Sequence, residues 1–393
     1  MNSVNESVLT DWVEYTVDVS STPKDGPADS PSIAIDSMFE RALRHFWHPV
    51  CTLTELTARN DSTDPRVERT PLGPLPVTLL GEQLAVAVTA NGRVIALADR
   101  CVHRSTRLSV GEVVGDTLRC AYHGWRYDGS GRCVDIPSMP DGPIPTRACV
   151  ASYSATIAYD LVWVRLDDSW PTDVPSCDAW LAPHSQDPAL RVLAGNPYTW
   201  PVGAARRVEN FVDLAHFAWV HDGSLGRRDE PVPPVPEIER VGGVLEFKYE
   251  SPDMDADGRA LFGSQDYEVR LPFTVQITFQ QRNGGKRILW MTASPVTMSE
   301  SRSFWFVSRN DALDEDDAEH LRFQDRILAE DQAVVCNQTP AALSLESGAE
   351  LSVRTDRVSI EYRRFLRDLA LTAYGPQHRD NPEPPEPPEF WVP

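Results

Sequence analysis

The chain has 393 residues with a formal net charge of −21, 41% hydrophobic and 24% charged residues. That length accommodates two domains or three, and the composition is that of an ordinary globular protein with a sizeable core. The acidic balance argues against a nucleic-acid partner and an anionic membrane surface, and no stretch approaches the roughly 18 apolar residues of a membrane span.

Seven sparse cysteines do not suggest a disulfide framework. The N-terminus is acidic and lacks the basic start and apolar core of a signal peptide, so a cytoplasmic protein is expected. Residues 1–34 are polar and rich in Ser, Asp and Pro and are expected to form a mobile arm. Ile35 to Phe46 carries a helical pattern that Trp47-His48-Pro49 ends. Residues 48–166 read as all-β: PLPVTLL, QLAVAVT, RVIALA, GDTLRCAYH and ATIAYDLVWVRL are short apolar runs bounded by turn signals. Asn91-Gly92 and Asp128-Gly129-Ser130-Gly131 are expected tight turns.

Within this region, Cys101-x-His103 and Cys120-x-x-His123 stand sixteen residues apart, each after an expected strand. A zinc site of two Cys and two His usually pairs like with like. Here each loop contributes one thiolate and one imidazole, which fits a Rieske [2Fe–2S] centre, in which two His replace two Cys on one iron. Gly124 allows a tight loop and Trp125 can shield a cluster. Arg100, Arg104, Arg107, Arg119, Arg126 and Arg132 make these loops basic in an acidic protein. They are either a plain solvated surface or a docking patch for an acidic electron donor.

Residues 167–200 read as a Pro- and Asp-rich connection, 206–222 as a helix and 224–237 as a Pro-rich loop. Strands return over 238–310, with a hairpin at Gly284-Gly285, followed by helices over 314–336 and 356–373. The tail NPEPPEPPEFWVP reads as an extended arm. The fold class expected is α+β, an all-β domain (35–166) before an α+β domain (167–380) of antiparallel sheet and flanking helices, helix-grip-like, with a Pro-rich tail (381–393).

The expected helix 206–222 carries Asp213 and His216 on one face, three residues apart. His221 lies about 140° further round, so the two imidazoles meet only if the helix ends or distorts near His221. A pair of helical histidines is commonly structural. Asp331 falls on the apolar stripe Leu321, Phe323, Ile327, Leu328, Val334, Val335, where a carboxylate must pair with a buried Arg or bind metal. Glu330 is its rival. Two imidazoles and one carboxylate with open positions make the facial triad of non-haem Fe(II) oxygenases. Phe211, Trp219 and Trp290 are candidates for either a substrate pocket or plain core.

With FWHPV, CVH…CAYHGWRYDGSG…IPS and ENFVDLAHFAWVHDG in place, residues 40–373 resemble the Rieske non-haem iron oxygenases, in the branch with phthalate dioxygenase and the vanillate and dicamba O-demethylases. The resemblance implies that Cys101, His103, Cys120 and His123 hold the cluster and that His216, His221 and Asp331 hold a mononuclear iron. It also implies that Asp213 bridges a cluster His of one subunit to an iron-ligand His of the next, within a head-to-tail homotrimer. Asn210 matches a residue near the iron in relatives. Where relatives often carry Glu, this chain has Cys336. The implied activity is mono-oxygenation (hydroxylation or demethylation) of a small aromatic or natural-product substrate. It uses O2 and electrons from a ferredoxin or flavin reductase, with NAD(P)H entering only through that reductase. Oxidative cyclisation or desaturation is the enzymatic alternative; an electron-transfer Rieske protein without catalytic iron is the alternative of another class.

Overall fold

The computed structural model describes residues 35–57, 72–250, 263–281, 284–311 and 313–374. The expected N-terminal arm and Pro-rich tail lie outside the described residues. The chain opens with α1 (Ile35–Leu43), β1 (His48–Thr52) and α2 (Leu53–Thr57), then β2 (Leu72–Leu79), β3 (Glu82–Val88) and β4 (Val94–Ala98). Short strands follow: β5 (Glu112–Val114), β6 (Thr117–Arg119), β7 (Arg126–Tyr127) and β8 (Cys133–Asp135). After β9 (Ser152–Ala158) and β10 (Leu161–Arg165) come α3 (Asp178–Leu181), β11 (Arg191–Ala194), β12 (Tyr198–Trp200), α4 (Ala204–Val212) and α5 (Phe217–Val220). The rest is β13 (Ile238–Val241), β14 (Val244–Glu250), β15 (Ser264–Arg270), β16 (Thr274–Gln280), β17 (Lys286–Thr297), β18 (Glu300–Arg309), α6 (Asp317–Val335) and α7 (Arg357–Tyr374).

Three antiparallel sheets result. The first runs β1-β10-β9-β4-β3-β2 and the second, small sheet runs β5-β6-β7-β8. The third runs β11-β18-β17-β16-β15-β14-β13, with β12 also on β18. A β-rich half thus precedes an α+β half, as expected. The first and third sheets share one apolar cluster, in which Leu84, Val86 and Val164 join Val275, Met291 and Ala293. Backbone bonds tie them too, since Leu80 N–H donates to the Pro295 carbonyl at 2.8 Å. The Asn91-Gly92 turn forms, with Gly92 at a φ of 81° that an L side chain rarely adopts. Among the described residues no helix is long and apolar enough to cross a membrane.

Two expectations need correction. The stretch 167–200 is not merely a connection: RVLA and YTW become β11 and β12. The long strand β18 leaves unpaired backbone groups at its outer edge, and these two segments satisfy them. The Pro and Asp residues around them hid the pairing. The helix over 206–222 also breaks much earlier than His221. At Asp213 the backbone turns extended (ψ 122°), and its Oδ1 accepts from Ala215 N–H at 2.8 Å. An Asp side chain that bonds the backbone two residues on competes with helix continuation. Asp213 and His216 therefore share no helix face.

On α6 the apolar stripe is narrower than expected. Ile327, Leu328 and Val335 are buried, whereas Val334 is 52% exposed. The helix starts with Asp316, whose side chain accepts from Ala318 N–H.

His48 anchors the start of β1. Its buried ring Nε2–H donates to the Leu43 carbonyl at 2.9 Å. Burial lowers its pKa from 6.5 to about 4, against a smaller upward pull from that carbonyl. Folded His48 stays neutral where the unfolded chain takes up a proton. Its contribution is complete above pH 6.5 and is lost progressively down to about pH 4, a change of about 3 kcal/mol. Urea midpoints should therefore fall between pH 7 and pH 4.5, and His48→Gln, which keeps a donor and does not titrate, should fall less steeply. Equal slopes for the two proteins would exclude this account.

Candidate metal centres

The four cluster-type residues come together at the tips of two loops. Cys101 follows β4 and Cys120 follows β6, and both side chains are 2% exposed. Each loop closes on itself: Ser105 N–H donates to the Cys101 carbonyl and Gly124 N–H to the Cys120 carbonyl, both at 3.0 Å. Gly124 sits at φ 74°, and a Cβ there would stand 3.0 Å from Pro137 Cγ. The ring centroids of His103 and His123 are 4.5 Å apart. Trp125 stacks on His103 at 4.7 Å with an interplanar angle of 5°. Tyr127, fully buried, places its hydroxyl 3.1 Å from Cys101 Sγ. Burial, chiefly, pushes the Cys120 thiol pKa up, with the adjacent Cys101 adding to it.

His103 Nδ1 is buried and has no hydrogen-bond partner among the described residues. An imidazole nitrogen turned inward beside two buried thiols is what a metal cluster requires and what a plain core does not. Three of the six arginines around these loops are engaged locally: Arg119 and Arg126 pair with Glu112 and Asp135, and Arg100 donates to Ser105 Oγ. Arg100, Arg104, Arg107 and Arg132 remain exposed.

The second centre lies where the chain turns after α4. His216 and His221 flank the short α5, and α6 brings Asp331 against them. Asp331 Oδ1 is 3.1 Å from His221 Nε2 and 3.4 Å from His216 Nε2. One ligand atom from each of the three lies within 4.8 Å of the others, with His221 and Asp331 buried. The break at Asp213 is what permits this: a continuous helix would hold the two rings apart.

Each imidazole has a carboxylate behind it. His221 Nδ1–H donates to Glu330 Oε2 at 2.8 Å. Glu330, read from sequence as a rival to Asp331, bonds the His221 ring. With the His221 proton held on Nδ1, its Nε2 lone pair faces the Asp331 oxygen, an opposition that a cation between them relieves. Asp213 Oδ2 is 3.6 Å from His216 Nδ1, a charge contact longer than a hydrogen bond. Burial is the largest influence on His216 and lowers its pKa, but Asp213 and Asp331 together outweigh it and raise the value to about 9. Burial likewise raises the Asp331 pKa, and the two imidazoles reverse this, holding the carboxyl well below the usual range. These buried groups favour positive charge between them.

Sequence reasoning missed Arg207. It is fully buried, and no carboxylate neutralises it among its hydrogen bonds. Its Nε–H donates to Tyr198 Oη at 2.9 Å and its Nη1–H to Asn210 Oδ1 at 2.7 Å, while the guanidinium lies 4.7 Å from the Trp200 ring centroid. A guanidinium only donates, so Asn210 must turn its Oδ1 toward Arg207 and its Nδ2–H2 toward Asp331 Oδ1, at 3.2 Å. The signal was the Arg206-Arg207 pair opening a helix whose residues are otherwise core. Arg206 binds Glu350 and the Pro340 carbonyl, which leaves Arg207 for the site.

The centre opens into a cavity of about 490 Å³ between the third sheet and α6, within the size range of small-molecule sites. Phe211, Phe217, Tyr267, Leu289 and Trp305 line it. Of the expected pocket candidates only Phe211 is there. Trp290, fully buried, packs in a separate cluster with Trp163 and donates to the Ser176 carbonyl. Trp219 is 58% exposed and outside the cavity lining.

Residues 46–154 match the model of the Rieske [2Fe-2S] domain, and residues 200–372 that of the vanillate O-demethylase oxygenase C-terminal domain. Methylxanthine N1-demethylase NdmA of Pseudomonas putida is 39% identical over 330 residues, spanning 83% of this chain and 89% of the relative. Methylxanthine N3-demethylase NdmB of the same organism is also 39% identical, over 84% and 90%. The structure of NdmA with caffeine superposes with a TM-score of 0.77 at 38% identity, covering 85% of this chain and 93% of that one. Dicamba monooxygenase, at 22% identity and a TM-score of 0.66, shares the fold. The chain belongs to the Rieske non-haem iron oxygenases.

It is an oxidoreductase that carries a [2Fe–2S] cluster and a mononuclear iron, uses O2 and receives electrons from a separate reductase or ferredoxin. The bare electron carrier is set aside. Replacing Arg207 by Met should release Asn210 to rotate and weaken Fe(II) binding at His216, His221 and Asp331 about 10- to 100-fold. Metal titration would show it, with the visible spectrum of the cluster unchanged. Asn210→Ala should weaken binding comparably, and the double variant should add little further. Unchanged iron affinity in all three variants would refute the link.

Proposed function

We propose that this chain is the terminal oxygenase of a demethylating monooxygenase system, and that Cys101, His103, Cys120 and His123 hold its cluster while His216, His221 and Asp331 hold its iron. The observation that carries this reading is the convergence of two imidazoles and one carboxylate, two of the three buried, at the wall of a largely apolar cavity. The NdmA and NdmB relatives, N-demethylases by name, support the reaction type. We take 35–166 as the cluster-bearing domain and 167–380 as the catalytic one, consistent with the two matched models. The thiols, none of them in a disulfide, suit a reducing cytoplasm.

The iron, when bound, supplies O2 activation beside the substrate. The chain's own residues do the rest. Phe211 and Phe217 exclude water from the reacting end of the cavity. Asn210 holds Asp331 by donating to Oδ1, and Glu330 keeps the His221 proton on Nδ1. Asp213, partly exposed and already turned toward His216, is suited to receive a cluster histidine from a neighbouring copy, which makes a head-to-tail trimer the working assembly. The exposed face formed by Arg100, Arg104 and Arg132 suits an acidic electron donor. In the net reaction, one N- or O-methyl C–H is hydroxylated by O2 with two electrons and two protons, giving water. The resulting hemiaminal or hemiacetal then collapses to formaldehyde and the demethylated product.

Purified with both centres loaded, the protein should contain two irons for the cluster and one more per chain. With a reductase and a methylated substrate it should form formaldehyde. His216→Ala should lose the third iron and all formaldehyde while keeping the cluster spectrum. Full turnover in His216→Ala would refute the triad. Under ¹⁸O2, formaldehyde trapped at once in its reduced form should carry label, and a dehydrogenated product without label would overturn mono-oxygenation.

A further inference from the structure

The charges around the cluster loops are not all at the surface. Among the described residues three acidic side chains are buried: Asp331, Glu209 and Asp99. Asp331 faces two imidazoles, and Glu209 accepts from the Arg363 guanidinium at 2.8 Å. Asp99 has no cationic partner among the described residues. The arginines nearest to it in sequence, Arg100 and Arg107, are exposed, and Arg100 donates to Ser105 Oγ instead. Two further acids of these loops, Glu112 and Asp135, pair with Arg119 and Arg126. One uncompensated buried carboxylate thus stands two residues before Cys101.

The fold holds it there firmly. Asp99 N–H donates to the Gln83 carbonyl at 2.8 Å, which fixes its backbone to the start of β3. Its Oδ1 accepts the Ser109 N–H and its Oδ2 the Ser109 Oγ–H, both at 2.7 Å. Asp99 and Ser109 span the neck of the loop that presents Cys101 and His103. Inside that neck, Cys101 N–H donates to the Thr106 carbonyl at 2.9 Å. The two hydrogen bonds offset part of the cost of burying Asp99, but they do not require a charge. An amide in the same place would accept the Ser109 N–H through its oxygen and donate to Ser109 Oγ through its nitrogen, without the desolvation penalty of a carboxylate. The neck accounts for a polar residue at position 99 and leaves the anion unaccounted for.

What an anion adds is a field acting on the transferred electron. A fixed negative charge near an iron–sulfur cluster disfavours the added electron and lowers the potential at which the cluster is reduced. Two residues of chain span at most about 7 Å. At separations on the order of 10 Å and an effective dielectric of about 20, one unit charge shifts a one-electron equilibrium about tenfold. The arginines of the first loop act in the opposite sense but are exposed and screened. We propose that Asp99 holds down the reduction potential of the cluster carried by Cys101, His103, Cys120 and His123. The electron taken from the ferredoxin or reductase then reaches the mononuclear iron with a larger driving force. The electron count is unchanged: one enters from the donor and one leaves. This rests on the cluster-ligand reading above and adds to it a residue that touches no metal.

The test is a redox titration followed by the visible spectrum of the cluster, on the full chain with both centres loaded. Asp99→Asn keeps the neck and removes the charge. Its cluster should be reduced about tenfold more readily, a rise in midpoint potential of about 59 mV, with the visible and EPR line shapes of wild type. Ser109→Ala removes one hydrogen bond from the carboxylate and leaves the charge, so its potential should stay level or fall. A shift of less than about threefold in Asp99→Asn, or an equal rise in Ser109→Ala, would mark Asp99 as a structural clamp and overturn the proposal. Asp99→Ser is the second neutral variant should Asp99→Asn not load its cluster, and failure of both to load would overturn the proposal too.

The ligand reading fails at a different point. Wild-type protein holding zinc, or lacking the spectrum of a two-iron cluster, would remove the cluster before any variant is compared. A wild-type cluster whose potential ignores residue 99 would leave the ligands standing and sink only the role of Asp99.

Discussion

Three titratable groups facing one another, two of them buried, are the constraint around which the catalytic half is built. Asp331, His216 and His221 are brought within hydrogen-bond range of one point, although a carboxylate and two imidazoles lose hydration when buried. Mutual charge and a fixed outer shell offset that loss. Glu330 and Asp213 stand behind the two rings, and the Arg207–Asn210 pair stands behind the carboxylate. Asp213–His216 and Arg207–Asn210 are local pairs, three residues apart, whereas the contacts of Asn210, His216 and His221 with Glu330 and Asp331 join α4 and the segment after it to α6 across more than a hundred residues.

The helix break at Asp213 and the position of the cavity follow from the same requirement. A continuous helix from 204 to 221 would be locally favourable but would point the two histidines in different directions. The Asp213 side chain captures Ala215 N–H and ends the helix, and α5 restarts with His216 as its cap residue. The energy of a few helical hydrogen bonds is exchanged for convergence of the ring nitrogens. The turn that results also walls off one end of the cavity, so the metal-binding geometry and the substrate space are products of one backbone irregularity.

The two halves solve the shared problem of holding a metal with different materials. The cluster loops are short and tight, turning at positive φ on Ser105 in the first and Gly124 in the second, and their histidines lie near the surface, with His123 exposed. That suits a carrier that must meet a partner. The second centre lies at the wall of a cavity lined by aromatic side chains, which suits chemistry that water would quench. The cluster loops pack in an apolar cluster of their own with Leu97, Leu118 and Tyr127, while the core that includes Leu84 and Met291 joins the first and third sheets.

Local chemistry was readable directly. The Cys-x-His and Cys-x-x-His spacing, the turn glycines, the alternation of the strands and the stripe position of Asp331 are short-range patterns, and each reflects a backbone or solvation rule that acts over a few residues. The sequence by itself thus determined the α+β class and marked the paired Cys/His loops and the His216, His221 and Asp331 positions as candidates for the two centres. What it could not determine depends on pairing between distant segments. Whether RVLA is loop or strand depends on the free edge of β18. Whether Glu330 binds metal or steers His221 depends on a rotation of α6 by about 100° per residue. The tryptophans separated, Trp290 into core and Trp219 to the surface, according to which face of an element met which neighbour. Arg207 looked like a surface charge until the fold buried it among Tyr198, Trp200 and Phe211. Only the tertiary structure decided these, because burial is a property of the assembled packing and no residue carries it alone.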